Sequence, residues 1–356
     1  MLKYSLRRLL LIVPTLMCIL LLNFFIVQAA PGGPVEQAIA RLQGLEGGQD
    51  PGAAVVDTIG SESALPGSRG LDPRLLADIE HQYGFDKPPL ERLRLMAYQY
   101  AHLDLGNSFF RGAKVTDLIV SRFPVTLSLG VWALLITYGI SIPLGIAKAV
   151  RNGSAFDVWT STAVIIGYAM PAFLFALLLM LIFGVGGGLG WLPIRGLVSE
   201  NFASLSTAGK VIDYFKHLVL PVSALVVGGF ATLTLLTKNS FLDEMARQYV
   251  ITARAKGAGE RRVLYGHVLR NAMLMVVAGL PSALVHVFFG GSLLIEVLFS
   301  LDGMGRLSYE AAVSRDYPVV LGSLFIFTLA GLSMRLIGDL CYRLIDPRID
   351  FSAGGR

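Results

Sequence analysis

The chain has 356 residues, of which 54% are hydrophobic and only 15% are charged, and its mean hydropathy is +0.63. A soluble protein carries about a quarter charged residues, so this composition excludes an ordinary soluble protein and indicates a membrane protein. The net charge of +5 does not indicate nucleic-acid binding, because the basic residues cluster beside apolar runs. The two cysteines, Cys18 and Cys341, offer neither metal-ligand spacing nor a convincing disulfide.

A short basic segment opens the chain and is followed by an apolar run from Leu9 to Ala30. The run is near the length that crosses a bilayer and exceeds a typical signal-peptide core, so it predicts an uncleaved first span. A polar region of about 90 residues follows, from Pro31 to Phe123. Within it, capping residues and helical spacing predict one helix from Pro73 to Gly84 and another over Pro89–His102.

Five further apolar runs bring the predicted number of transmembrane helices to six. They cover about Pro124–Ala147, Val158–Gly184, Leu218–Thr237, Ala272–Phe299 and Pro318–Cys341. Their many glycines and prolines fit either ordinary packing and kinking or a bundle that moves between two shapes. The sequence shows neither an inverted repeat nor the broken half-helices that are typical of ion-coupled transporters.

The distribution of charge predicts the orientation of these spans. Lys and Arg outnumber Asp and Glu in the segments assigned to the cytoplasm, whereas acidic residues outnumber basic ones in the other segments. Because basic residues concentrate on the cytoplasmic side of membrane proteins, both termini are predicted to be cytoplasmic.

One stretch between the fourth and fifth spans, Lys238–Arg270, carries seven basic residues against three acidic ones. Strong helix formers predict a short helix over Asp243–Lys256, and Gly257 is placed where that helix would stop. A second helix is predicted to place four residues on one face: Val263, Leu264, His267 and Val268. The stretch could be a solvated basic loop, but two helices with a glycine break favour a docking surface for a cytoplasmic partner.

The residues Tyr249–Gly257, YVITARAKG, resemble the coupling loop of ABC importer permeases of the dipeptide/oligopeptide class. The resemblance extends to segments outside the loop, although Gly33 stands where the family commonly has aspartate. These segments are PGGP at 31–34, YGFDKP at 83–88, DLGNS at 104–108, DGMG at 302–305, RDYP at 315–318 and DPRID at 346–350.

The resemblance implies a type I ABC importer permease fold with six transmembrane helices and an extended extracytoplasmic loop region after the first helix. It implies three regions: the first helix with its loop and helical cap (1–123), a five-helix core containing the coupling loop (124–345) and a cytoplasmic tail (346–356). It also implies that a defined set of residues couples the chain to an ATPase: Asp243, Tyr249, Ala253, Arg254, Ala255, Lys256 and Gly257.

By the same resemblance, the chain is a multi-pass protein of the bacterial inner membrane, in contact with lipid, and takes up oligopeptides or microcin C-like peptides. The expected partners are a second permease subunit in a heterodimer, two ATP-binding subunits and a periplasmic peptide-binding protein. No nucleic-acid partner and no cofactor are expected.

Three residues in or near the predicted spans are candidates for the transport pathway or a gate: Pro171, His286 and Glu296. Ionisable residues inside a membrane are functional candidates. A helix kink is the simpler interpretation of Pro171, and a hydrogen-bonded buried histidine is the simpler interpretation of His286. Arg335 and Asp339 are four residues apart and could pair on one helix face, for which a structural role is favoured.

The sequence contains no G-x-x-x-x-G-K-[ST], no G-x-S-x-G and no H-E-x-x-H motif, so no catalytic residue or metal site is predicted. ATP hydrolysis is therefore assigned to partner subunits, and a membrane enzyme is disfavoured. The main alternative to an ABC permease is an ion-coupled secondary peptide transporter.

Overall fold

The computed structural model describes residues 2–29, 87–289 and 292–345, and most of the residues in these ranges are helical. The β-type pairing there is confined to two isolated bridges, Asn107–Lys114 and Gly184–Leu192. The predicted all-α class is therefore confirmed for this part of the chain. The predicted helix from Pro73 to Gly84 and the tail at 346–356 lie outside the described residues.

The helices are numbered in chain order. They are α1 (Leu2–Ala29), α2 (Pro89–Ala101), α3 (Val115–Val150), α4 (Ala155–Ala169), α5 (Ala172–Phe183), α6 (Thr207–Met245), α7 (Gln248–Ala255), α8 (Glu260–Arg262), α9 (Leu269–Ala278), α10 (Leu280–Phe289), α11 (Ser292–Leu298), α12 (Met304–Val313) and α13 (Tyr317–Ile345). A short 3₁₀ turn lies at Phe202–Ser204, and a π-helical segment, Val263–Val268, joins α8 to α9.

Five helical stretches in the described part are long and apolar enough to cross a membrane, and a bent pair of helices makes a sixth if it counts as one span. The five are Leu9–Ile26, Val115–Val150, Thr207–Met245, Glu260–Val285 and Tyr317–Gly338, and the pair is α4 with α5. The predicted six spans are thus recovered, with the fourth beginning well before Leu218 and the fifth well before Ala272. Both helices extend beyond their apolar runs because polar residues continue the helical hydrogen bonding outside the bilayer.

The third span is not the continuous helix that the apolar run predicted. The axes of α4 and α5 differ in direction by 101°, and the break falls at Met170 and Pro171. Pro171 has no backbone N–H and disfavours helical geometry in the preceding residue, which is extended with φ −87° and ψ 123°. The expectation that no span is broken is therefore wrong for this one.

The chain divides into two compact units, one containing Val120–Tyr309 and the other containing Leu10–Ile119 with Glu310–Ile326. In the first unit, α3, α5, α6 and α11 share an apolar core. Its buried residues include Leu129, Ala176, Leu220, Ile295 and Phe299.

Within this first unit, α3 and α6 cross closely at Gly145. A Cβ atom at this position would lie 2.6 Å from the Thr237 Cβ and 2.8 Å from the Thr234 carbonyl oxygen. No residue other than glycine fits at that distance, because the obstructing atoms include backbone. The crossing fixes the two helices against each other just before both reach the Lys238–Arg270 stretch.

Candidate functional site

The Lys238–Arg270 stretch forms a helix, a turn and a second helix, but its first break differs from the prediction. α6 continues to Met245, and Arg247 is extended with φ −74° and ψ 149° before α7 begins. Asp243 therefore belongs to the last turn of α6 and not to the short helix. Residues 243–256 all tolerate a helix, so propensity alone gave no sign of this break.

The turn after α7 confirms that Gly257 stops the helix. Gly257 has a φ of +82°, its N–H donates to the Arg254 carbonyl at 2.9 Å, and the Ala258 N–H donates to the Ala253 carbonyl at 3.1 Å. These two bonds form a Schellman cap, which requires a left-handed residue. A Cβ at Gly257 would meet nothing within 4 Å, so the backbone conformation, and not lack of space, favours glycine here.

One face of α7 is buried against the ends of neighbouring helices. The buried core beneath it draws residues from α3, α6, α7, the π-helical segment and α9: Ala149, Phe241, Val250, Val263, Val268 and Ala272. Two predicted coupling residues, Tyr249 and Ala253, are partly buried and pack against this core. Close-packed side chains therefore connect α7 to α3, α6 and α9.

The opposite face of α7 is open to solvent. The exposed residues of α7 and of the turn that follows it include four of the predicted coupling positions, namely Arg254, Ala255, Lys256 and Gly257. Ile251 lies among them with 54% of its surface exposed, and sequence reasoning did not single it out. The Arg254 guanidinium pairs with the Glu260 carboxylate at 2.9 Å across the turn. The exposed surface thus combines two basic side chains, Arg254 and Lys256, with two apolar ones, Ile251 and Ala255.

A hydrogen bond joins α7 to the end of α6. The Tyr249 hydroxyl donates to the Glu244 carboxylate at 2.6 Å. Burial is the main cause that raises the pKa of Tyr249 above its ordinary value, and the hydrogen bond to Glu244 is the second. The hydroxyl therefore keeps its proton at neutral pH. The bond closes the turn between the two helices.

The second helix of the stretch is wound as a π-helix over Val263–Val268. Val263 and Val268, five residues apart, are both fully buried, as the wider π turn allows. Leu264 is only partly buried and His267 is exposed, so the predicted four-residue face is reduced to the two valines. The error came from assuming α-helical spacing.

Three charged side chains meet close to the loop, in a buried cluster that the sequence did not reveal. The Lys238 ammonium contacts both Asp157 carboxylate oxygens, at 2.9 and 2.7 Å. The Lys148 ammonium lies 3.2 Å from the same carboxylate and donates to the Thr160 and Ser161 hydroxyls at 2.8 and 2.7 Å.

The charged groups of this cluster are buried, so each of them depends on its partners within the cluster. Lys148 is fully buried and Asp157 is 5% exposed. The single carboxylate also accepts a hydrogen bond from the Gly153 N–H at 3.1 Å. Because Lys148, Asp157 and Lys238 belong to α3, α4 and α6, the cluster binds the ends of three helices together beside the core under α7.

A cavity of about 580 Å³ lies farther along the same helices, between α3, α6 and the junction of α9 with α10. Five hydroxyl-bearing residues contribute to its wall: Thr137, Tyr138, Tyr168, Thr232 and Ser282. Pro171 is exposed and follows Tyr168 by three residues, so the break in the third span lies close in sequence to the cavity wall.

Glu296 is fully buried near the end of α11 and is held by hydrogen bonds. Its carboxylate accepts from the Thr126 hydroxyl at 2.9 Å and from the Arg306 N–H at 2.9 Å. A Cβ at Gly303 would lie 2.4 Å from the Glu296 carboxyl carbon, and one at Gly305 would lie 2.7 Å from the Leu293 Cα. The glycines of the DGMG segment therefore leave room for this carboxylate and its helix.

The remaining ionisable candidates are placed only in part. His286 lies in α10, but its side chain is outside the described residues, as is that of Asp339. Arg335 is exposed on α13. The predicted Arg335–Asp339 pair therefore stays a prediction.

Comparison with known protein families identifies this architecture. The sequence model of the family described as "Binding-protein-dependent transport system inner membrane component" matches residues 141–351, which include the Lys238–Arg270 stretch, the Lys148–Asp157–Lys238 cluster and Glu296. The chain belongs to this family. It is therefore a multi-pass inner-membrane permease with the type I ABC importer fold, and a transport subunit with no ATPase of its own. The ion-coupled and enzymatic alternatives are thereby set aside.

Relatives of the permease match over almost its whole length. It is 56% identical to the "Peptidoglycan transport system permease protein YejB" of Agrobacterium fabrum, with 98% of each chain covered. It is 56% identical to the "Inner membrane ABC transporter permease protein YejB" of Escherichia coli O157:H7, again with 98% of each covered. It is 33% identical to the "Dipeptide transport system permease protein DppB" of Escherichia coli K12, with 98% of this chain and 99% of the relative covered.

The second unit of the permease explains two of the segments that carried the resemblance. Asp316, from RDYP, is buried and accepts hydrogen bonds from the hydroxyl of Ser108, the last residue of DLGNS, and from the N–H of Phe109, the residue after it. Arg111 pairs with Glu310 at 2.6 Å. The two segments are more than 200 residues apart in sequence, but they are joined by hydrogen bonds in the fold.

Apolar packing continues that contact along α13. The ring of Tyr100 meets Phe325 edge-on with ring centres 5.0 Å apart, and burial raises the pKa of Tyr100 to about 12. A Cβ at Gly322 would lie 2.8 Å from a methyl group of Val115. The segment from α2 to the start of α3 is therefore packed on the first half of α13.

Proposed function

We propose that this permease forms half of a transmembrane pathway for the uptake of oligopeptides, microcin C-like peptides among them. It pairs with a second, different permease subunit, and two ATP-binding subunits and a periplasmic peptide-binding protein complete the importer. Both termini of the permease are cytoplasmic. The relatives named for dipeptide and peptidoglycan transport support a peptide cargo.

We assign the coupling role to α7 and the turn that follows it. The supporting observation is that one side of this helix is buried and the other is exposed to solvent. Val250 is fully buried, whereas the next residue, Ile251, is 54% exposed. Arg254, near the end of the helix, is exposed as well. A helix that is anchored on one face and open on the other can receive an ATPase surface and pass on its movement. Asp243, Tyr249, Ala253, Arg254, Ala255, Lys256 and Gly257 are the proposed coupling residues.

The route of the movement follows the packing. Closure of the ATP-binding subunits displaces α7, and the core under α7 moves with it. The Lys148–Asp157–Lys238 cluster makes the ends of α3, α4 and α6 move as one body. These same helices surround the cavity, so their displacement changes its access. Pro171, at the break of the third span, and His286, in α10, remain proposed pathway residues.

Replacing Gly257 with valine tests the coupling assignment. A branched side chain at φ +82° costs about 1–2 kcal/mol, which distorts the cap of α7 and lowers ATPase docking about tenfold. Membrane insertion and protein level are expected to stay near normal, because a Cβ atom at position 257 would meet nothing within 4 Å. Co-purification of the ATP-binding subunits and ATP-dependent peptide uptake by the reconstituted importer are the measurements.

Gly259→Val is the matched control. Gly259 lies two residues later, also has open space around its Cβ position, and has an ordinary extended backbone with φ −63° and ψ 147°. Its replacement is expected to leave docking and uptake nearly unchanged. Equal uptake by wild type and Gly257→Val, with the ATPases still bound, would remove the basis of the assignment.

Orientation is tested with a reporter that is active only in the periplasm. Placed near Gly60, between the first and second spans, it is expected to be active. Placed after Gly259, beside the proposed ATPase contact, it is expected to be silent. The excess of Lys and Arg around Gly259 is the physical reason for that orientation. The opposite pattern would contradict the proposal that both termini are cytoplasmic.

A cell-wall cargo is a second candidate, favoured by the peptidoglycan transport name of the 56% identical relative. Uptake assays with an unmodified oligopeptide and with a muropeptide, each supplied with the binding protein, decide between the two. Preference for the muropeptide would make peptidoglycan fragments the main cargo.

A further inference from the structure

The described part of the wall of the cavity beside α6 carries no charge. Among the described residues that line it, none is Asp, Glu, Lys, Arg or His, although the chain carries 55 Asp, Glu, Lys and Arg in all. Apolar side chains such as Leu134, Leu225 and Leu236 share the wall with the five hydroxyl-bearing residues. Four glycines, Gly130, Gly228, Gly229 and Gly279, complete it. An apolar wall with a few convergent polar groups is typical of sites that bind small organic ligands.

The size of the cavity fits such a ligand. Its volume of about 580 Å³ lies within the range of roughly 300–1,000 Å³ that is usual for ligand sites. The five hydroxyl-bearing residues come from α3, α4, α6 and α10, so four separate helices contribute residues that can form hydrogen bonds to the wall of one space. Neither a lipid chain nor an apolar membrane helix would need such groups. A peptide main chain does, because each of its residues brings an N–H and a carbonyl that require partners.

We propose that this cavity is a charge-free subsite of the pathway, which holds an uncharged segment of the passing peptide by its main chain and apolar side chains. The inference rests on the proposed peptide cargo. It adds a rule of selectivity: the subsite disfavours a peptide segment with an ionised side chain. Such a side chain would lose water around its charge, and the described wall offers no opposite charge in return. Thr232, exposed on α6 within the wall, is the proposed specificity-determining residue.

Gly228 offers a direct way to occupy the subsite. A Cβ added at Gly228 would meet nothing within 4 Å, so a larger side chain projects into open space without disturbing this chain. Gly139 on α3 is the matched control, since it is also helical and open but does not line the cavity. The experiment uses the complete importer in proteoliposomes, with labelled tri-alanine as the peptide.

Gly228→Leu is expected to keep assembly with the partner permease and to lower tri-alanine uptake about tenfold, since the new side chain takes space that the peptide needs. Gly139→Leu is expected to transport like wild type. Two results would overturn the proposal: normal uptake by Gly228→Leu, or loss of the partner permease from the purified complex, which would make the cavity the seat of a partner helix. A wild-type importer that moves no peptide would instead refute the proposed cargo on which the inference depends.

Substitutions at Thr232 test the absence of charge itself. Thr232→Lys is expected to reduce uptake of Ala-Lys-Ala relative to Ala-Glu-Ala about tenfold or more, because the introduced ammonium repels one peptide and attracts the other. Thr232→Val removes the hydroxyl without adding charge and is expected to lower uptake of both peptides equally. An unchanged ratio of the two peptides in Thr232→Lys, with uptake intact, would show that cargo does not pass this wall.

Discussion

Replacing Asp157 with asparagine is expected to destabilise the permease by about 3 kcal/mol, the lower end of the range for breaking a buried ion pair, since the cluster lies near helix ends. The variant leaves the ammonium groups of Lys148 and Lys238 close together without a carboxylate, and Lys148 is fully buried. The thermal unfolding of the purified permease in detergent measures the loss. ATP-driven uptake is expected to fall as well, because α3, α4 and α6 no longer move together.

Two further variants separate this effect from a general sensitivity to losing an acid. Asp302→Asn removes a carboxylate that is 61% exposed and pairs with Arg122 and Arg306, and it is expected to cost at most about 1 kcal/mol. Combining Asp157→Asn with Lys148→Met removes the buried charge that was left unpaired, so the double variant is expected to be more stable than the sum of the two changes predicts. If Asp157→Asn unfolds at the wild-type temperature, the cluster does not hold the helices together.

The sequence predicted the parts of this site that depend on local geometry. Gly257 was recognised as a helix stop because a left-handed cap favours glycine, and the structure has that cap. The spans were recognised because lipid demands long apolar runs. In both cases the determining interactions lie within a few residues of each other.

Features that depend on distant partners were missed. Asp157 and Lys238 are 81 residues apart, and in the sequence Lys238 was one of several basic residues that the charge rule already explained. Pro171 was flagged, but a proline permits either a kink or a break, and the packing of α4 and α5 decides which. No weak helix former marks the end of α6 at Met245. The Tyr249–Glu244 hydrogen bond and the apolar core under α7 account for this end instead.

The resemblance marked the DGMG segment, and an ionisable side chain near the end of a span marked Glu296, but neither gave the reason that links them. The reason is steric: Gly303 and Gly305 leave space for a buried carboxylate. Single-sequence patterns carry no information about such a pairing, because Gly303 and Glu296 lie on opposite sides of a turn whose path is set by Ser300, with φ +50°, and by the Leu301 N–H bond to the Glu296 carbonyl.

Replacing Glu296 with alanine is expected to destabilise the permease by about 3 kcal/mol. The change leaves the Thr126 hydroxyl and the Arg306 N–H without this acceptor in a buried site, at a cost of about 1–3 kcal/mol for each such group, and it opens a void beside Gly303. The Thr126 oxygen also accepts from the Met304 N–H at 2.8 Å, so the start of α12 is expected to loosen. The thermal unfolding of the purified permease and the protein level in membranes are the measurements.

Glu296→Gln separates a structural role from a gating role. Glutamine keeps the length of the side chain and one carbonyl acceptor, so a purely structural Glu296 should be replaced with a loss of only about 1–2 kcal/mol and with normal uptake. Gly303→Ala places a methyl group within 2.4 Å of the same carboxyl carbon and is expected to weaken the network without altering any charge. If Glu296 also acts as a gate, Glu296→Gln will change ATP-driven uptake beyond what this small loss of stability explains, and Gly303→Ala will not reproduce that change.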